Sequence, residues 1–198
     1  MQIVLASRNR GKLEELSSAL AGLPVKVLSL EQVNFRGELQ EPGPGYKENA
    51  LSKAEAVARG TGRWALADDS GLEVEALGWG PGPASARLLP PAKTDSERNQ
   101  KLLGLLRGVP PERRRALFRC TLALVSPKGE AHFCEGTLEG VIAPEPRGSF
   151  GFGYDPIFIL PEYGKTLSEL GPAIKGRLSH RARALSKLRG VIERLLKD

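Results

Sequence analysis

The sequence predicts an α/β protein, because strand patterns and helix patterns are interspersed along its 198 residues. Residues 2–6 form a short apolar run typical of a buried strand, and residues 13–20 follow it with leucines at helical spacing. Residues 115–125 and 131–143 are two long strand candidates, and residues 126–129 between them form a turn sequence. With 40% hydrophobic residues, the chain can bury the core of one domain, simple or two-lobed.

Further elements are predicted between these landmarks. Residues 25–28 indicate a second strand, and the Pro- and Gly-rich residues 41–45 predict a rigid loop before a helix that begins near Tyr46. Thr94 with Glu97 three residues later is a capping-box pattern, so we expect a helix from there to about residue 107. A short strand is expected at residues 156–160, followed by a short turn or helix.

The last predicted helix and the residues just before it carry the net charge of the chain. Ser179 can cap its N-terminus, and Leu185 belongs to its apolar stripe. Residues 175–198 contain eight basic and two acidic residues, so the net charge of this segment equals the net charge of +6 for the whole chain. Such a segment suits a nucleic acid or a small polyanion. His180 and Arg181 fall in the first turn, where cations oppose the helix dipole, so an anionic group is expected nearby.

Residues 65–74 contain the most unusual motif of the chain. An apolar run leads into Asp68, Asp69, Ser70 and Gly71, and a second apolar alternation follows, which predicts a strand, a tight turn and another strand. Two adjacent carboxylates are costly to bury unless a cation joins them, and such oxygen ligands suit Mg²⁺ together with substrate phosphates. The alternative is a polar turn closed by an Asx-type hydrogen bond.

Two other segments contain candidate ligand-binding residues. Residues 7–12 (Ser-Arg-Asn-Arg-Gly-Lys) join the first strand to its helix, where backbone amides and Lys12 can attract phosphate. The alternative is an ordinary strand–helix turn. The P-loop motif is absent from this segment. Residues 150–156 alternate aromatic residues with glycine. Their rings can stack on a purine and Asp155 can accept base N–H groups, or the rings can simply fill the edge of a core.

The cysteines and the hydropathy pattern narrow the class of protein. Cys120 and Cys134 are too few for a disulfide framework or a zinc site, and we expect two buried thiols. No apolar run approaches the length of a membrane span, and the apolar part of the N-terminus is too short for a signal peptide. We therefore expect a cytoplasmic protein.

Taken together, the motifs resemble the inosine triphosphate pyrophosphatase family, also called the Ham1 family. The matching motifs span nearly the whole chain and occur in the same order as in the family. It rests on five groups of residues: 7–15, 48–54, 67–72 with 81–87, 151–158, and 179–181. Arg8 and residues 44–46 depart from the common pattern, as do residues 83–84.

The resemblance implies a fold and an activity. It implies a single domain over residues 1–198 with an elongated, curved mixed sheet flanked by helices, and two lobes with a nucleotide cleft between them. It implies a Mg²⁺-dependent homodimer that hydrolyses ITP, dITP or XTP to the monophosphate and pyrophosphate. The biological role would be to remove deaminated purines before they enter DNA or RNA, without a stable nucleic-acid or membrane partner.

The resemblance also implies residue roles. Asp69 would be the catalytic carboxylate with Asp68 beside it as a helper, and Asp69 and Glu41 would bind the metal. The implied substrate-binding residues are Ser7, Arg8, Asn9, Arg10, Gly11, Lys12, Ser70, Phe152, Gly153, Tyr154, Asp155, Lys175, His180 and Arg181. Residues 7–12 and Lys175 would contact phosphates, residues 152–155 would bind the base, and His180 and Arg181 would recognise it. An arginine can donate to a 6-oxo group and disfavours an amino group at the same position.

Two other hypotheses compete with the inosine triphosphate pyrophosphatase hypothesis. A Maf-type nucleotide pyrophosphatase shares the fold but prefers pyrimidine or modified nucleotides, and the motifs at residues 151–155 and 179–181 argue against it. A nucleic-acid-binding module would use the basic C-terminal segment, with binding that weakens steeply with salt. The paired carboxylates argue against that module, because they repel phosphate unless a metal is present.

Overall fold

The computed structural model describes residues 1–83 and 94–197, and within them eight strands form one mixed sheet. The strands are β1 (Gln2–Leu5), β2 (Lys26–Leu28), β3 (Trp64–Val74), β4 (Gly80–Gly82), β5 (Arg115–Val125), β6 (Ala131–Ile142), β7 (Phe158–Leu160) and β8 (Lys165–Thr166). The helices are α1 (Arg10–Ala19), α2 (Tyr46–Thr61), α3 (Asp95–Leu105), α4 (Leu167–Leu178) and α5 (His180–Leu195). The predicted α/β class is confirmed.

The strands are hydrogen-bonded in the order β2-β1-β3-β5-β6-β7-β8, and β4 pairs with β3 beside this path. β1 is parallel to both β2 and β3, with Ile3 opposite Val27 and Trp64. The pairs β3–β4, β6–β7 and β7–β8 are antiparallel. The turn predicted between β5 and β6 is present, where the Gly129 amide donates to the Ser126 carbonyl over 3.0 Å and Gly129 has a positive φ of 91°.

The prediction of a turn at residues 68–71 is wrong, because β3 is one continuous strand of 11 residues. The turn was inferred from an acidic, Ser- and Gly-containing sequence that usually favours solvent. In the structure Asp68 and Asp69 are only 4% and 5% exposed, and both carboxylates contact cationic side chains. Since their charges are compensated inside the protein, the strand has no need to turn outward.

The chain clusters into two compact units. The first comprises Met1–Asp69, Cys120–Gly136 and Arg181–Asp198, and the second comprises Ser70–Arg119 and Thr137–His180. β3, β5 and β6 each contribute residues to both units.

In the first unit, helices cover both faces of the sheet. Ile3 and Leu66 pack in a cluster with α1 and α5, whereas their chain neighbours Val4 and Ala65 pack in another cluster with α2. Successive strand residues point to opposite faces, so α1 and α5 lie on one face and α2 on the other. Cys120 and Cys134 are both buried thiols in the first of these clusters, as predicted.

In the second unit, the core joins α3 to β5, β6 and the segment around β7. The rings of Phe118 and Phe158 lie 4.4 Å apart, and Leu102 of α3 is fully buried in the same cluster. α4 is two helical pieces joined at Gly171, whose φ of 77° and following proline break the helix. Its first piece begins with a full capping box between Thr166 and Glu169.

Within the described ranges, no helix has both the length and the apolar character needed to cross a bilayer.

Two glycines are expected to respond oppositely to the same substitution. A methyl group at Gly104 in α3 would meet no atom within 4 Å, so Gly104→Ala should raise the free energy of unfolding by about 0.5 kcal/mol. A methyl group at Gly140 in β6 would collide with the ring of Phe158 and the carbonyl oxygen of Ile159, so Gly140→Ala should lower it by about 1–3 kcal/mol. Urea unfolding measures both values, and equal effects would contradict the packing around β6.

Candidate active site

Residues 7–9 lead into the N-terminus of α1. Asn9 is the N-cap, and its side chain accepts a hydrogen bond from the Lys12 amide over 3.2 Å. The Asn9 amide donates to Ser7 Oγ at 3.2 Å, and Arg8 donates to the Gly37 carbonyl at 3.2 Å. No acidic residue lies in the first turn of α1. The predicted strand, polar turn and helix start are present, and phosphate binding by residues 7–12 stays a prediction.

Asp68 is the centre of a buried ion-pair network. Its carboxylate lies 2.8 Å from Lys12 Nζ and 3.2 Å from Arg181 Nη2, and Arg181 Nη1 contacts Glu15 at 2.8 Å. Burial favours the neutral acid, but the charges of Lys12 and Arg181 outweigh it and hold the pKa of Asp68 well below its ordinary value. Asp68 is therefore ionised and fixed between α1 and the start of α5.

Asp69 lies in a second network, formed with the first turns of α2. Asn49 Nδ2 donates to Asp69 Oδ2 at 3.0 Å, and Lys53 Nζ lies 3.4 Å from Asp69 Oδ1. Lys53 also donates to Glu41 at 2.7 Å and to the Asp68 carbonyl at 2.8 Å. Burial raises the pKa of Asp69, although Lys53 and Asn49 oppose the rise. A buried carboxylate with a raised pKa is suited to act as a general base.

The two adjacent carboxylates therefore serve two different networks. Consecutive strand residues project to opposite faces of a sheet. Asp68 accordingly meets α1 and α5, whereas Asp69 meets α2. Ser70, the next residue of β3 and a predicted substrate contact, is half-buried.

In the second unit, the predicted base-binding segment is held by buried polar contacts. Asp155 is 3% exposed, and its Oδ2 accepts from the Phe152 amide at 2.9 Å and from Lys175 Nζ at 2.7 Å. The Lys175 ammonium also lies 4.0 Å from the centroid of the Phe152 ring. The structure thus places Lys175 with the base-binding segment, and its phosphate contact stays a prediction.

Gly153, in the middle of this segment, is bonded through both of its peptide groups to α3. Its amide donates to Asp95 Oδ2 at 2.7 Å, and its carbonyl accepts from Asn99 Nδ2 at 3.1 Å. Asp95 is also paired with Arg98. Burial raises the pKa of the neighbouring Tyr154, which is 7% exposed.

The predicted recognition pair is divided between the two units. His180 is 5% exposed, and its ring stacks on Phe118 with 4.6 Å between centroids. Arg181 belongs to the first unit, where Asp68 and Glu15 engage its guanidinium. The motif at residues 85–87 lies outside the described residues.

A model of the Ham1 family matches residues 3–191 of the chain. The chain belongs to the Ham1 family. It is 49% identical over 188 residues to a dITP/XTP pyrophosphatase of Geobacter sulfurreducens, which covers 95% of this chain and 94% of that protein. It is 44% identical over 192 residues to a dITP/XTP pyrophosphatase of Bacillus subtilis, with 97% of each chain covered.

Solved structures of the Ham1 family have the same fold. A Ham1 protein of Coxiella burnetii matches with a TM-score of 0.90 and 41% identity, covering 98% of this chain and 99% of that one. The Staphylococcus aureus Ham1 protein matches with a TM-score of 0.87 and 37% identity, covering 98% of each chain. The family and the mixed, helix-flanked sheet expected from the sequence motifs are therefore confirmed.

The side chains of this Ham1 family member fit a divalent cation that is partly ligated by substrate. Glu41 and Asp69, the two predicted metal ligands, both direct oxygens at the Lys53 ammonium, so a cationic group already lies between them. Among residues 1–83 and 94–197, no group of three or more His, Cys, Asp or Glu is arranged to hold a metal. One or two carboxylates completed by phosphate oxygens is the arrangement that Mg²⁺ prefers.

Sequence reasoning did not assign Asn49 and Lys53 to the site. Both are buried, at 0% and 6% exposure, on the same face of α2 as the apolar residues Ala50 and Ala54. The signal was available, since polar residues four positions apart on the core-facing stripe of a helix need buried partners. Asp95 and Asn99 were also missed, and the sequence around them showed only a helix start.

Proposed function

We propose that this protein is a nucleoside triphosphate pyrophosphatase that hydrolyses ITP, dITP and XTP to the monophosphate and pyrophosphate. The observation that carries the proposal is the buried Asp69, held by Asn49 and Lys53 beside Glu41. Its family membership and its relatives, which are dITP/XTP pyrophosphatases, give the substrate class. Removal of these nucleotides keeps deaminated purines out of DNA and RNA.

Asp69 is the proposed general base. The products require that water attacks the α-phosphorus and that pyrophosphate leaves. A carboxylate can orient this water and accept its proton. Lys53 stays protonated, because the surrounding carboxylates outweigh its burial and raise its pKa. It holds Asp69 and Glu41 in position.

Mg²⁺ is the proposed cofactor, with Asp69 and Glu41 as its protein ligands. When bound, it would neutralise triphosphate charge and orient the phosphate chain. The amides at the start of α1, with Ser7 through Lys12, would bind phosphate oxygens. Lys12 reaches Asp68 at 2.8 Å, so this carboxylate fixes the lysine at the side of the phosphate site. Asp68 is thus a positioning residue in this proposal.

The purine base is proposed to bind at residues 152–155. The Phe152 ring, with Lys175 above it, offers a stacking surface, and Asp155 and Lys175 fix the polar edge of the segment. Hypoxanthine and xanthine differ from adenine by an acceptor at position 6. A site with buried polar groups rejects an analogue that leaves one of them unpaired.

The assembly and location of the protein are further parts of the proposal. We propose a cytoplasmic homodimer without a stable nucleic-acid partner, on the resemblance to the family. Two cations of the basic segment make contacts within the protein. Lys187 donates to the Glu135 carbonyl at 2.7 Å, and Arg189 donates to the carbonyls of Ala19 and Ala21 at 3.0 and 2.9 Å. These cations are thus used in internal contacts.

Pyrophosphate release from ITP, XTP, GTP, ATP and dTTP tests the proposal. We expect ITP and XTP to be preferred by about 100-fold or more, the scale that unpaired polar groups produce, and we expect release to stop when EDTA removes the metal. Equal rates on all five substrates would contradict the assignment of the base site. Full activity in EDTA would contradict the role of Glu41 and Asp69 as metal ligands.

A further inference from the structure

The contact between α3 and Gly153 is unusual because side chains occupy both peptide groups of one loop residue. Asp95 accepts the Gly153 amide at 2.7 Å and Asn99 donates to its carbonyl at 3.1 Å. These partners lie 58 and 54 residues from Gly153 in the sequence. A loop residue usually bonds to water or to its own turn, so two long-range side-chain bonds fix its orientation.

We propose that Asp95 and Asn99 are positioning residues which set base selectivity by fixing the peptide groups of Gly153. This inference rests on the proposed function and deepens it, because it assigns to α3 a part in purine recognition. Neither residue contacts the base in this proposal. Both act through the segment that carries Phe152 and Asp155.

The geometry on each side of Gly153 supports this role. On one side, Lys175 and the Phe152 amide anchor Asp155 at 2.7 and 2.9 Å. On the other side, α3 holds Gly153 itself. Gly153 has a φ of 63°, a left-handed conformation that glycine adopts readily but does not hold by itself, so the two bonds to α3 select it. Together, the contacts of Asp155 and of Gly153 hold the Phe152 ring and the Asp155 carboxylate at a fixed spacing.

α3 is built as a rigid support for this contact. Thr94 caps its N-terminus by accepting from the Glu97 amide at 3.2 Å. Arg98 pairs with Asp95 and restricts its rotamer. Asn99 is 2% exposed, and Leu102, one turn later, is fully buried in the core of the second unit. A displacement of Gly153 thus requires the helix to move, and sites that are misplaced by about 1 Å lose much of their activity.

The decisive substitution is Asn99→Leu, which keeps the volume of the side chain and removes its donor. We expect the KM for XTP to rise about tenfold with kcat within about threefold of wild type, and the preference for XTP over GTP to fall about tenfold, because the carbonyl of the half-buried Gly153 loses the hydrogen bond from Asn99. Gln100→Leu makes the same chemical change at the next, exposed residue of α3 and should leave both values within about twofold.

Leu102→Ala provides the structural control. It weakens the packing of α3 without touching Gly153, so it should lower the melting temperature yet keep the preference for XTP. Asp95→Asn retains an oxygen acceptor for the Gly153 amide and should keep most of the selectivity, whereas Asp95→Leu should lose it. The Asp95 side chain is 40% exposed, so this pair tests the proposal even where Asn99→Leu does not fold.

The outcomes separate the inference from the proposed function. Wild-type selectivity in Asn99→Leu and Asp95→Leu, or equal loss of selectivity in Leu102→Ala, would overturn the inference alone. No preference for XTP in the wild type would overturn the proposed function, and the inference would be overturned with it. A preference for XTP in the wild type that is lost only in Asn99→Leu and Asp95→Leu supports both the inference and the proposed function.

Discussion

Asp69→Asn should lower pyrophosphate release from ITP and XTP by about 1,000-fold or more, the size expected when a general base is lost. The substitution keeps the shape of the side chain and an acceptor for Lys53, which lies 3.4 Å from Asp69 Oδ1. It removes the negative charge that can accept a proton and bind a metal. Steady-state release at saturating substrate measures the effect.

The contact with Asn49 offers a matched control for this substitution. In Asp69→Asn an amide group faces the Asn49 amide, where the wild type has a hydrogen bond of 3.0 Å. Adding Asn49→Asp exchanges the two groups, which restores one acid, one amide and the hydrogen bond between them. We expect the exchange to recover stability but not activity. Recovery of activity would show that the position of the carboxylate is immaterial and would contradict the role of Asp69.

Arg181→Ala should lower the free energy of unfolding by about 3 kcal/mol, because it removes one of the two cations that contact the buried Asp68 and breaks the ion pair with Glu15. The guanidinium is 5% exposed and contacts Asp68 at 3.2 Å and Glu15 at 2.8 Å. Urea unfolding measures the loss. If Asp68→Asn is added, the buried charge that has lost one of its two cations is removed, and we expect part of the loss to be recovered. Additive effects of the two substitutions would contradict the coupling between these residues.

The same variant also tests the role that family resemblance gives to Arg181. If Arg181 recognises the base, Arg181→Ala should lose the preference for ITP over ATP. The ion pairs predict instead that rates on both nucleotides fall together, since Asp68 then holds Lys12 less firmly. Full retention of the ITP preference would contradict base recognition by Arg181. Loss of the preference with unchanged stability would contradict the structural role of the ion pairs.

Sequence patterns predicted most of the secondary structure, because local periodicity and capping determine it. The start of α2 at Tyr46 and the Thr94 cap of α3 agree with the sequence. The continuous β3 could not be predicted in the same way. The cations that keep Asp68 in the strand are Lys12 and Arg181, and the second lies 113 residues away, so the local turn signal was misleading.

Of the candidate site, the sequence predicted only the residues that belong to recognisable motifs. The adjacent carboxylates and the segment at residues 152–155 stand out by composition. The residues that fix them, Lys53 at 16 residues from Asp69 and Asn99 at 54 residues from Gly153, are ordinary helix residues until the fold brings them close. Lys53 gave only the indirect signal of a polar residue on the core-facing stripe of α2, and Asn99 gave none.

The opposite placement of Asp68 and Asp69 on one strand restricts how the gene for this protein can change. One residue inserted or deleted in β3 before the acidic pair would exchange the two faces, because side chains alternate with a period of two. The carboxylate held by Lys12 and Arg181 would then face α2, and the carboxylate beside Asn49 and Lys53 would face α5. Point substitutions in this strand leave that arrangement intact. We therefore expect changes of chain length to accumulate in the connecting loops, whereas β3 keeps its length.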